Sequence, residues 1–117
     1  MQRTAVAVRR SQVERTDATR AALMAAAREL FLGRGYAATG TPEIVAAAGL
    51  TRGALYHHFA DKTALFLAVA EQLAQEVADD VARGSAHHDR PVDALLAGAE
   101  AYFSSMGQPG RARLLLL

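Results

Sequence analysis

Apolar positions recur along this chain at helical spacing, and no run alternates as a strand would. Leu23, Ala26, Ala27, Leu30 and Phe31 lie three and four apart, the mark of one buried helical face. They predict a first helix over about 18–33, capped by Asp17 or Thr16. Gly33 and Gly35 stand at its end, where glycine tolerates the left-handed stop conformation. Thr41-Pro42 opens a short second helix, with Thr41 suited to the N-cap and Pro42 to the first turn, where its missing N–H costs nothing. Ile44, Val45 and Ala48 supply its inward face, and Gly49 stops it. Thr51 can cap a third helix whose buried stripe is Leu55 and Phe59 at i and i+4. Two short helices joined by the turn Ala48-Gly49-Leu50-Thr51 make a helix-turn-helix pattern.

Asp61 caps a long fourth helix carrying Leu65, Phe66, Val69, Leu73 and Val77. Gly84-Ser85 and His87-His88-Asp89 predict a loop. Pro91 starts a fifth helix, with Val92, Leu95, Leu96, Ala99, Tyr102 and Phe103 expected inside. Gly107 to Gly110 form a turn, and Arg111 to Leu117 begin a further apolar segment. Four leucines in the last four positions would make an aggregation-prone patch if exposed, so the chain is expected to be incomplete. The predicted fold is all-α. A three-helix helix-turn-helix domain leads into a long connecting helix and part of a helical regulatory domain. The divisions fall at 1–16, a flexible basic arm; 17–62, the helix-turn-helix domain; and 63–117, the incomplete helical dimerisation and ligand-binding domain.

Composition agrees. There are 27 alanines and only three prolines, and alanine is the best helix former. Without cysteine, neither a disulfide scaffold nor a thiolate zinc site is available. The net charge of +1 hides an asymmetry: residues 1–62 hold nine basic and five acidic side chains, a net +4, and residues 63–117 hold four and seven, a net −3. The front of the molecule therefore suits an acidic partner. Arg3, Arg9 and Arg10 interrupt any signal-peptide core, and no stretch is apolar enough to span a bilayer. A cytoplasmic protein without membrane partners is expected.

A helix entering the major groove must present short or polar residues on its groove side. Arg52, Gly53 and Ala54 occupy the first turn of the third helix, the part that reaches base edges in helix-turn-helix proteins. Arg52 can give two hydrogen bonds to guanine O6 and N7, and Ala54 can pack on a thymine methyl. Gly53 lets the backbone approach closely. Thr41, Thr51, Tyr56, His57, His58 and Lys62 are candidate phosphate contacts, which orient the helix without reading sequence. One of the two neighbouring histidines should face inward, since adjacent side chains on a helix diverge by about 100°. That divergence also argues against a metal site at His57-His58, and His87-His88-Asp89 lacks a supporting second cluster. The N-terminal arginines suit either a tail or an arm in the minor groove. No HExxH, no paired carboxylates beside a base and no Gly-rich phosphate loop occur, so no enzyme and no cofactor are expected.

The segment resembles the TetR/AcrR family of bacterial repressors. The similarity starts at Thr19-Arg20 and runs through Ala26-Ala27-Arg28-Glu29-Leu30-Phe31, Gly35-Tyr36 and Ile44 to Gly49. It continues through Gly53-Ala54-Leu55-Tyr56-His57-His58-Phe59 and ends at Asp61-Lys62 with Ala64-Leu65. The resemblance implies a ligand-responsive repressor that binds a palindromic double-stranded DNA operator. It also implies homodimerisation through C-terminal helices that enclose a small-molecule effector. It places Thr41, Tyr56, His57 or His58 and Lys62 at phosphates, and Arg52, Gly53 and Ala54 at the bases. Two positions depart from the family pattern: Gly40 stands where a second threonine is common, and Pro42 where some members carry a base-reading side chain. Helix 3 is left to do most of the reading.

Overall fold

The computed structural model describes residues 2–116, with side chains from residue 11 onward. Six helices follow one another: α1 Gln2–Arg34, α2 Thr41–Ala48, α3 Arg52–His58, α4 Lys62–Ser85, α5 Pro91–Met106 and α6 Arg111–Leu116. There is no strand among the described residues.

The core collects one stripe from each of the first four helices. Leu23, Ala27 and Phe31 of α1, Ile44 of α2, Leu55 of α3, and Leu65, Val69 and Leu73 of α4 are all fully buried. Each large side chain of this set contributes about 1.5–3 kcal/mol through burial. Phe66 meets Phe31 edge-on at 5.3 Å between ring centroids and Tyr36 at 4.9 Å. Buried Thr39 closes the α1–α2 loop, its hydroxyl donating to the Gly35 carbonyl at 2.9 Å.

The helix-turn-helix turn has a defined stop. Gly49 takes φ +68°, the Leu50 N–H donates to the Val45 carbonyl at 2.9 Å, and the Gly49 N–H donates to Ala46 at 3.1 Å. This pair of bonds is the Schellman closure, which satisfies the last carbonyls of α2 and turns the chain sharply toward α3. Thr51 and Asp61 cap α3 and α4 as expected, accepting from the Ala54 N–H at 3.2 Å and the Ala64 N–H at 2.7 Å.

Several expectations are corrected. Helix 1 does not begin near residue 18: α1 is continuous from Gln2, so positions 2–16 are helical rather than an irregular arm. That segment holds neither glycine nor proline, and nothing in it interrupts the hydrogen-bond ladder. Thr16 and Asp17 are thus interior positions, not caps. The side chains of Arg3, Arg9 and Arg10 lie outside the described residues. At α2 the N-cap is Gly40, and Thr41 and Pro42 are the first two helical residues. At the other end of α4, Gly84 and Ser85 are still helical. Gly84 is there for close packing, since a Cβ at this position would stand 2.4 Å from that of Ala101 in α5. The loop is confined to 86–90.

The largest correction concerns α5. Val92, Leu95, Leu96 and Phe103 are well exposed, Ala99 and Tyr102 also face out, and the buried positions are Gly98 and Ser105. Small residues meet α4 because they allow the two backbones to approach. The apolar stripe read as core is consequently left uncovered within this chain.

The final segment forms α6, which rests against both α1 and α4. Leu114 and Leu115 pack on the core, and Leu116 is exposed. Arg111 is buried, donating to Ser105 Oγ at 2.8 Å and lying 3.3 Å from Glu76 Oε2 and 3.7 Å from Asp80 Oδ2. Arg28 of α1 reaches the same Glu76 oxygen at 2.8 Å. Arg113 Nη2 donates to the Leu32 carbonyl near the end of α1 at 2.7 Å, where a cation favours the helix dipole.

Candidate nucleic-acid interface

The sequence of α3 leaves one side apolar and the other bare. Leu55 and Phe59 point inward and are buried, while Thr51, Arg52, Gly53, Tyr56 and His57 are exposed. Ala54 and His58 are half-buried, so His58 is the inward-leaning member of the histidine pair. Their rings stand 5.2 Å apart at 83°. Among the described residues no group of three His, Asp or Glu side chains gathers as a metal site.

Gly53 is informative because the fold gives it no reason to be glycine. Its φ lies outside the left-handed region, and a Cβ would meet nothing nearer than Thr51 Oγ1 at 3.9 Å. Glycine within a helix costs roughly 0.5–1 kcal/mol relative to alanine. Among the described residues no contact at Gly53 offsets that cost.

Arg52 and Tyr56 lie one turn apart on the exposed side, with the guanidinium carbon 5.5 Å from the ring centroid. Beside them, Thr41, Pro42 and Val45 of α2 and Arg52, Leu55 and Tyr56 of α3 line an open notch of about 320 Å³. Lys62 is half-buried at the start of α4. Its ammonium sits 4.1 Å over the Tyr36 ring, and the Tyr36 hydroxyl shares a hydrogen bond with Thr63 Oγ1 at 2.9 Å. Arg20 of α1 lies 4.5 Å over the Phe59 ring, next to the C-terminal end of α3.

The structure thus places Thr41, Thr51, Arg52, Gly53 and Tyr56 around the exposed N-terminal half of α3. His57 and His58 stand at its C-terminal end, and Lys62 at the next helix start. Sequence reasoning missed Tyr36, Thr63 and Arg20 as neighbours of these groups. Only the aromatic and basic character of Tyr36 and Arg20 hinted at them, since the contacts join distant parts of the chain. Glu43, in the first turn of α2, is neutralised by an ion pair with Arg34.

A bare recognition helix held against two supporting helices by a Schellman turn defines a helix-turn-helix protein. Comparison places it further. Residues 23–69 match the family described as "Bacterial regulatory proteins, tetR family". The transcriptional regulator TtgR of Pseudomonas putida is 42% identical over 88 residues, covering 75% of this chain and 40% of that protein. The transcriptional activator FasR of Mycolicibacterium smegmatis is 36% identical over 87 residues, covering 74% and 40%. The crystal structure of a TetR-family regulator from Pectobacterium atrosepticum superposes with a TM-score of 0.74 at 38% identity, over 86% of this chain and 52% of the other. A gamma-butyrolactone receptor, described as ArpA-like, gives 0.67 at 33% identity, over 85% and 51%. Over residues 23–69 the chain carries the helix-turn-helix region of the TetR family. It spans about 40% of the length of these curated relatives and about half of these solved structures.

Proposed function

We propose that this chain is the DNA-reading part of a ligand-responsive transcriptional repressor, acting in the cytoplasm on a palindromic double-stranded operator. The observation that carries this reading is the exposed first turn of α3, with a glycine whose Cβ position is open among the described residues. In the major groove, Arg52 bonds a guanine edge, Gly53 brings the backbone against the bases and Ala54 packs on a methyl. Thr41, Thr51, Tyr56, His57 and Lys62 hold phosphates on either side and fix the register. Tyr36 keeps the Lys62 ammonium in place through its ring face, a contact worth about 0.5–1 kcal/mol at an exposed site.

Two such helices, one from each subunit of a homodimer, would read half-sites about one helical turn (~34 Å) apart. The uncovered apolar stripe of α5 supports a continuation of the helical regulatory domain, where a small-molecule effector would bind. A receptor among the structural neighbours supports the same arrangement. The relatives include an activator as well as repressors, and repression is the reading the family resemblance favours. Among the described residues, no helix is long and apolar enough to cross a membrane.

The test is a salt titration of binding to duplex DNA selected from a random pool, followed by fluorescence anisotropy. Binding is expected to fall linearly on a log–log plot, with a slope of about −0.9 per phosphate neutralised. Absence of duplex binding at low salt would defeat the proposal.

A further inference from the structure

Pro42 removes the hydrogen-bonding side chain that α2 would otherwise offer to a base, yet it does not leave α2 blank. Its exposed ring forms one wall of the notch between α2 and α3. Val45 stands beside it, half-buried against the core, and fully buried Leu55 also lines the notch. Arg52 and Tyr56 complete the lining from the α3 side, and Thr41 adds a hydroxyl. Among the described residues no carboxylate lines the notch, and Glu43, the nearby acidic residue of α2, is paired with Arg34. The cleft is therefore apolar along α2, positive at Arg52 and continuous with the face assigned to the bases.

In the major groove only thymine presents an apolar group at the base edge, its 5-methyl; the other edges present donors and acceptors. We propose that this notch receives the methyl group of an operator thymine, so that Pro42 and Val45 are specificity-determining residues. The inference rests on the DNA-binding reading above and adds to it a base preference from α2, read by shape rather than by hydrogen bonds. A proline ring is fixed before the DNA arrives, so little side-chain freedom is lost on contact. The thymine would neighbour the base pair that Arg52 touches, because Arg52 is shared between the notch and the exposed helix end.

The experiment replaces each thymine of a selected operator in turn by deoxyuridine, which deletes the methyl and nothing else. Affinity is measured for the full chain and for its Pro42→Ala and Val45→Thr variants. One thymine per half-site is expected to show about a four-fold loss, the value of one buried methyl. In both variants that loss should shrink below about two-fold, while any methyl read by Ala54 keeps its effect. The double comparison thus assigns the methyl to α2 or to α3. The uridine scan uses the unaltered protein, so it stands even if a variant folds poorly. The inference is overturned if no thymine is methyl-dependent, if the operator contains none, or if the dependence is the same in all three proteins. Failure to bind any duplex is a different result, which defeats the DNA-binding reading itself.

Discussion

The Arg52 guanidinium stands 5.5 Å from the centre of the Tyr56 ring, one turn along the same exposed face of α3. In the proposed complex Arg52 meets a base and Tyr56 a phosphate. They should therefore fail differently when altered. Arg52→Ala is expected to cost roughly 1–3 kcal/mol and to relax preference at one base position. Equal losses on operator and random duplex would show that Arg52 touches a phosphate.

Tyr56→Phe keeps the ring beneath Arg52 and removes only the hydroxyl. Affinity should fall alike for all sequences, by about 0.5–1.5 kcal/mol for one hydrogen bond. Base preference should be unchanged. An affinity equal to that of the unaltered protein would remove Tyr56 from the contact set.

Gly110 opens α6 against the end of α1, with φ +81° and its Cβ direction blocked by the Leu32 carbonyl oxygen at 2.3 Å. Gly110→Ala has to displace α6 and strain the backbone at once. A loss of about 1–3 kcal/mol is expected from the left-handed conformation alone. Thermal unfolding measures it, and an unchanged melting temperature would show that α6 is not anchored on α1.

Asp80 accepts a hydrogen bond from Ser105 Oγ at 2.6 Å, and Arg83 and Arg111 lie beside it. The Ser105 bond chiefly holds its carboxyl below the ordinary value, with partial burial opposing and the two arginines assisting. A carboxyl lowered on folding stabilises the folded state fully above its unfolded value of about 3.9. That contribution declines as pH falls through the window below this value, and is gone beneath the folded one. Asp80→Asn should therefore flatten the acid side of the stability–pH curve while lowering stability at neutral pH. Parallel curves for the two proteins would count against this role.

The first four helices were legible because their local signals agree with the packing. Gly49, Thr51 and Asp61 mark turns and caps that depend only on neighbouring residues, and Leu23, Phe31, Leu55 and Leu65 follow one period. Helix 5 misled because periodicity reveals an apolar face without revealing what covers it. Leu95 and Phe103 form a proper stripe, but α4 takes the side where Gly98 and Ser105 permit close approach. The start of α1 misled for the opposite reason: residues 2–16 lack a hydrophobic rhythm, yet nothing in them breaks a helix. The outward-facing residues of α3 could be named from sequence. The Lys62–Tyr36–Thr63 arrangement and the notch at Pro42 could not, since each joins segments brought together only by the fold.

The most direct measurement is Gly53→Ala, assayed for stability and operator affinity in the same preparation. A Cβ fits the free protein without a clash, so the melting temperature should hold or rise, reflecting a stability gain of up to about 1 kcal/mol. Operator affinity should drop by at least about ten-fold, or 1.4 kcal/mol, because the added methyl separates the backbone from the bases. A variant that is as stable as the parent and binds its operator equally well would contradict the close approach of α3 to DNA.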